Sequence, residues 1–133
     1  MKIFIAYRYR DSEKDEIRKN VEAISSVLEI ASHAPFIFAR DVQKWGEVNM
    51  TLAEIIKRAF EEIDSSDALL VFIDSDEKSE GAMMEVGYAH GKGKKIIACI
   101  KKGLRYSFVR GIAWKTVEFD DTDDLVSNLK GNL

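Results

Sequence analysis

The chain has a single cysteine, Cys99, among its 133 residues, so no disulfide can form within it. The apolar run around it, KKIIACI, assigns the thiol to the core as a small hydrophobe, and no paired base marks it as catalytic. No stretch approaches the roughly 20 apolar residues that span a bilayer, so no membrane association is expected. The opening MKIFIAY is too short for a secretory signal, which leaves the cytoplasm as the expected compartment. Neither sign of charge dominates. Twenty lysines and arginines stand against 23 acids, a net charge of -3, which gives no global drive toward DNA or RNA. No G-x-G-x-x-G follows the first apolar run, and GKGKK lacks the spacing of a phosphate loop. No cysteine–histidine cluster suggests zinc, and the acids Asp74, Asp76, Glu77 and Glu80 read as a crowded surface loop. Neither a metal nor another cofactor is expected.

What the chain does have is alternation of two kinds of apolar pattern. Its length suits one domain, and 46% apolar residues provide for a core. Residues 2–7 form a nearly continuous apolar run, the pattern of a strand buried on both faces. Residues 12–30 then place Ile17, Val21, Ile24 and Leu28 on one helical face, with Ser12 as the expected cap. Pro35 ends that stretch, and residues 36–39 read as a short second strand. Residues 40–49 are a loop by composition, with Trp45 the one residue in it suited to a lid or partner contact. A second helix is predicted over residues 51–63. Residues 68–73, ALLVFI, have no polar interruption and are placed at the centre of the sheet.

An acidic loop leads to a third helix over residues 81–90, a fourth strand over 95–100 and a basic loop with aromatics over 101–111. Residues 114–119 read as an edge strand, and residues 121–129 as a closing helix. Strands alternating with helices imply a mostly parallel sheet covered on both faces. The expected fold is α/β, a five-stranded, flavodoxin-like three-layer sandwich forming one domain.

In such sheets ligands bind beyond the carboxyl ends of the strands. That rule selects Tyr7, Arg8, Tyr9 and Arg10 after the first strand, Arg40 and Asp41 after the second, and Asp74, Ser75 and Asp76 after the third. It also selects Lys101 and Lys102 after the fourth. Ser79 and Gly81 stand at a helix N-terminus, where free N–H groups can receive an anion. Glu85 and Tyr88 are three apart on that helix. A carboxylate there can attack or stabilise an electron-poor sugar carbon. His33 and His90 have no evident catalytic partner, and Tyr9 and Trp114 read as packing residues.

The stretch DSSDALLVFIDSDEKSEGAMMEVGYAHGKGKKI resembles the nucleoside 2-deoxyribosyltransferase superfamily, which includes hydrolases of deoxynucleoside monophosphates. Asp67 opens the matching strand, and EVGYA supplies the second element. The resemblance implies that Glu85 is the nucleophile or its equivalent and that Ser79 holds a 5′-phosphate. It implies that Tyr7 and Arg10 lie where relatives contact sugar, base or phosphate. Two departures stand out. Ala59 occupies a position where related hydrolases often carry a carboxylate, and AYRYRD replaces a glycine-rich turn. KIFIAYRYRD also resembles the start of Toll/interleukin-receptor (TIR) domains, some of which hydrolyse NAD.

The resulting expectation is cleavage or transfer at an N-glycosidic bond. Glu85, Tyr7 and Asp67 would be catalytic, and Arg8, Arg10, Asp74, Ser79, Gly81 and Tyr88 would bind a small-molecule nucleoside or nucleotide. The alternatives are a TIR-like NAD-hydrolysing domain and a non-catalytic nucleotide-sensing or interaction module. A homodimer or larger homo-oligomer is implied by the resemblance alone.

Overall fold

A computed structural model describes residues 1–133. Five strands make one parallel sheet: β1 (Lys2–Tyr7), β2 (Ala34–Ile37), β3 (Ala68–Ile73), β4 (Lys95–Lys101) and β5 (Lys115–Phe119). Their order is β2-β1-β3-β4-β5, and every pairing is parallel. The strand without a polar residue, β3, is the central one and is buried at all six positions. The edge strand β5 alternates buried and exposed residues, as a strand with one covered face should.

Because successive side chains leave a strand on opposite faces, the sheet has two cores. Ile3, Ile5, Leu70, Phe72, Ile97 and Cys99 face α1 (Lys14–Ile30) and α6 (Thr122–Lys130). Phe4, Ala6, Leu69, Val71, Ile96 and Ala98 face α3 (Leu52–Asp64) and α4 (Glu80–Gly91). The structure thus has the flavodoxin-like, three-layer α/β architecture that alternating strands and helices imply. Cys99 is fully buried and its thiol is pushed up to about 12 by that burial, so it packs as an inert hydrophobe.

Three local expectations are corrected. Ser12 does not cap α1. Residues Asp11–Glu13 form a 3-10 turn, and Glu13 holds the capping position without a side-chain bond. The second strand stops at Ile37, and Phe38–Asp41 turn into a short helix, α2. The Asp41 carboxylate accepts the Ile37 N–H at 2.9 Å and draws the chain out of the sheet. The basic loop contains a helix, α5 (Ser107–Ile112), entered through Tyr106 in a left-handed conformation. Thr51 caps α3, in a capping box with Glu54. No helix is long and apolar enough to cross a membrane.

Candidate active site

Parallel strands send all their carboxyl ends to one rim, and the third of the connections there is the informative one. After β3 the chain runs through Asp74, Ser75, Asp76, Glu77 and Lys78 to Ser79, the N-cap of α4. The Ser79 hydroxyl oxygen accepts the Ala82 N–H at 3.1 Å, so its own O–H stays free to donate. From this cap α4 descends along the sheet with Gly81 and Glu85 one turn apart on the same face.

A cleft of about 260 Å³ opens between that face and the end of β1. Glu85, Gly81 and Ser79 form one wall, and Tyr7, Tyr9, Phe38 and Gln43 form the other. Glu85 is its sole carboxylate. Burial pushes the Glu85 carboxyl up from 4.5 to about 7, and no donor or cation offsets that effect. Tyr7 is pushed up to about 12, chiefly by burial, against the lowering effect of the Ala39 backbone; the Glu85 charge adds a smaller upward push. The phenol therefore stays protonated and available as a donor. A Cβ on Gly81 would meet nothing within 4 Å, so the glycine leaves open space beside the carboxylate.

The cleft continues into a larger one of about 640 Å³ that shares Tyr7, Tyr9 and Gln43. Asp15 and Arg18 of α1 line it, together with Trp45. The Arg18 guanidinium lies 4.3 Å from the centre of the Trp45 ring. Lys44 and Trp45 both hold left-handed backbone conformations, with φ of 52° and 56°, which non-glycine residues rarely adopt. A much smaller cavity, about 10 Å³, lies on the other side of Ser79 and Ala82 and is walled by Arg8, Asp74, Glu77 and Tyr106.

The structure brings Tyr7, Ser79, Gly81 and Glu85 into one cleft, with Arg8 and Asp74 behind Ser79. It does not bring Asp67 there. Asp67 precedes β3 and stands at the amino edge of the sheet, where its carboxylate accepts the Lys2 N–H at 2.8 Å. Six strand residues, about 20 Å, separate the two edges. Tyr88 is also elsewhere. Three residues turn a side chain about 60° round the helix, and Tyr88 stacks on Phe60 at 4.2 Å and donates to Asp64 at 2.6 Å. Arg10 is ion-paired with Glu77. Arg40 is spent on structure, donating to Asp41, Ser25 and the Pro35 carbonyl. No three His, Cys, Asp or Glu side chains converge as a metal site would.

Sequence reasoning missed Gln43, Asp15 and Arg18, and it assigned Tyr9 to packing although Tyr9 is exposed and lines both clefts. Gln43 had a signal, since it follows the second strand. The strand-end rule stopped at Asp41 because the short helix α2 was not foreseen.

Comparison with known proteins gives the fold and the family. The structure superposes on the CMP N-glycosidase BcmB of Clostridium botulinum with a TM-score of 0.76, at 18% identity over the whole of both chains. It superposes on the 2-deoxyribosyltransferase of Bacillus psychrosaccharolyticus with a TM-score of 0.72, at 20% identity, covering 95% of this chain and 90% of that one. A conserved protein of Enterococcus faecalis gives 0.69 at 16% identity, covering 100% and 99%. At these identities the superpositions establish the fold. No curated protein matches the sequence. Residues 4–129, which hold β1 from Phe4 onward, the other four strands and the whole cleft, match the nucleoside 2-deoxyribosyltransferase family, and the chain belongs to that enzyme family.

Proposed function

We propose that the protein cleaves or transfers the N-glycosidic bond of a nucleoside or nucleoside monophosphate, with Glu85 as the carboxylate at the anomeric carbon. The observation that carries this reading is a half-buried glutamate, uncompensated by any cation, opening into a cleft beside a protonated tyrosine. A carboxyl so placed forfeits stability, which is the mark of a functional group.

In this reading the sugar lies in the smaller cleft and the base extends toward Gln43, Asp15 and Trp45 in the larger one. A Glu85 oxygen bonds to C1′ or stabilises positive charge there as the C1′–N bond breaks. The base leaves with the electron pair and takes up a proton. Water or a second base then attacks C1′. Tyr7 donates to the ionised carboxylate and orients it. Asp15 is the carboxylate that lines the larger cleft, where it can accept a hydrogen bond from the departing base. Asp67 has no part in this scheme. The family match favours this reading over hydrolysis of NAD by a TIR-like domain.

Glu85→Gln keeps the shape and removes the nucleophile. Base release from deoxynucleosides and their monophosphates should fall roughly 1,000-fold or more. Undiminished release by the variant, followed by chromatography of the free base, would reject the assignment.

A further inference from the structure

Tyr106 reaches across the carboxyl rim to the loop that leads into α4. We propose that Tyr106 is a positioning residue for the Glu85 cleft: its hydroxyl and ring clasp residues 75–78 and so set the wall that Ser79 and Gly81 form. This goes beyond the reading of Glu85 and rests on it for the kinetic test alone.

The segment after β4 is built to present this one side chain. Tyr106 stands before α5 with φ of 42° and ψ of 52°. That left-handed conformation is costly for a residue with a Cβ and persists where its surroundings impose it. Arg110 imposes it here. Its Nε donates to the Arg105 carbonyl at 2.6 Å and its Nη2 to the Leu104 carbonyl at 2.8 Å, the two residues that lead into Tyr106. Its Nη1 pairs with Glu118 of β5 at 2.8 Å, which ties the turn to the edge strand. The Arg110 N–H donates to the Tyr106 carbonyl at 3.0 Å.

The other end of Tyr106 holds the loop. The side chain is buried, and its O–H donates to the Ser75 carbonyl at 2.6 Å. Burial above all pushes the phenol up, so it stays a donor. The Lys78 ammonium lies 5.2 Å from the centre of its ring. One side chain thus fixes both flanks of the acidic turn, and Lys78 leads directly into Ser79, the N-cap of α4. No backbone-to-backbone hydrogen bond secures residues 74–78. Arg8 and Arg10 meet Glu77 from the opposite side, but that carboxylate is 58% exposed, and such pairs hold weakly in water. The tie to Tyr106 is the buried one. Ser79, Gly81 and Ala82, which follow the clasped loop, wall the cleft that holds Glu85.

Tyr106→Phe keeps the ring and removes the O–H. Hydrogen exchange followed by mass spectrometry should quicken about tenfold at residues 75–82, the scale of one lost hydrogen bond, and keep its wild-type rate in β3 and at residues 87–91. KM for base release from a 2′-deoxynucleoside should rise about tenfold while kcat stays within about twofold, because the phenol shapes the cleft and touches no reacting atom. Unchanged exchange at residues 75–82, exchange quickened equally throughout the chain, or an unchanged KM overturns the proposal. Arg110→Gln leaves the phenol and cuts the brace behind it. It should give the same local pattern, and the double variant should be no worse than Tyr106→Phe alone. Fully additive effects in the double variant overturn the assignment of Arg110 and Tyr106 to one clasp. If wild-type protein releases no base, the glycosidic reading of Glu85 fails, and the exchange measurement alone decides whether Tyr106 holds the loop.

Discussion

Between pH 4.5 and about 7 the Glu85 carboxyl of the folded chain holds a proton that the unfolded chain has released. A raised carboxyl pKa therefore costs stability as pH rises through that window, and above it the folded state bears the full cost of a buried charge. Glu85→Gln removes the charge and keeps the shape. At pH 8 the variant should be more stable than wild-type protein by roughly 2 kcal/mol, with a melting temperature higher by about 5–10 °C. Below about pH 4.5, where wild-type Glu85 is protonated in both states, the two melting temperatures should converge. Thermal melts across pH 4–8 check this, and a variant less stable at pH 8 would contradict the burial cause. In the proposed mechanism the same titration governs rate. Attack at C1′ needs the ionised carboxylate, so kcat/KM should rise with pH and level off above about 7. A residue that lowers stability and raises reactivity together is an expected trade at an active site.

At the scale of elements, α4 is the one that matters, and its glycine separates packing from chemistry. Gly81 stands in the first turn of α4, and a methyl there would project into empty cleft. Alanine also favours a helix over glycine by about 0.5–1 kcal/mol. Gly81→Ala should therefore raise the melting temperature slightly and raise KM several-fold, because the methyl takes space the substrate needs. An unchanged KM would place the substrate away from Gly81. The long elements were legible in the sequence because a buried strand or an amphipathic helix repeats its pattern over several turns. The short ones were not. Phe38–Asp41 and Ser107–Ile112 contain too few residues to show a period, and what creates them is tertiary. Asp41 accepts from Ile37 in one, and Tyr106 reaches Ser75 across the rim beside the other. The site followed the same division. Glu85, Gly81, Ser79 and Tyr7, which line the cleft, sit on long elements or at their ends, where the sequence pattern could single them out. Gln43, which also lines it, follows the unforeseen α2 and was not singled out.

The whole molecule divides its labour between the two edges of one parallel sheet. The carboxyl rim holds the clefts, an uncompensated carboxyl and two successive left-handed residues. The amino edge is stapled. Lys2 Nζ donates to Glu62 at 2.8 Å and to Ser65, Lys94 Nζ donates to the Asp64 carbonyl at 2.9 Å, and Asp67 answers Lys2 twice. Its carboxylate accepts the Lys2 N–H and its own N–H donates to the Lys2 carbonyl, both at 2.8 Å, which extends the β1–β3 ladder by one step. Sequence similarity drew Asp67 toward the chemistry because it opens the strand that leads to Glu85. Strand direction decides otherwise, since a residue before a parallel strand lies at the edge opposite the loops after it. Asp67→Ala removes a hydrogen bond and leaves the cleft untouched. Its stability should drop by about 1 kcal/mol, a few degrees in melting temperature, while kcat and KM for base release stay at wild-type values. A large fall in kcat with little change in melting temperature would return Asp67 to the active site and break the division between the two edges.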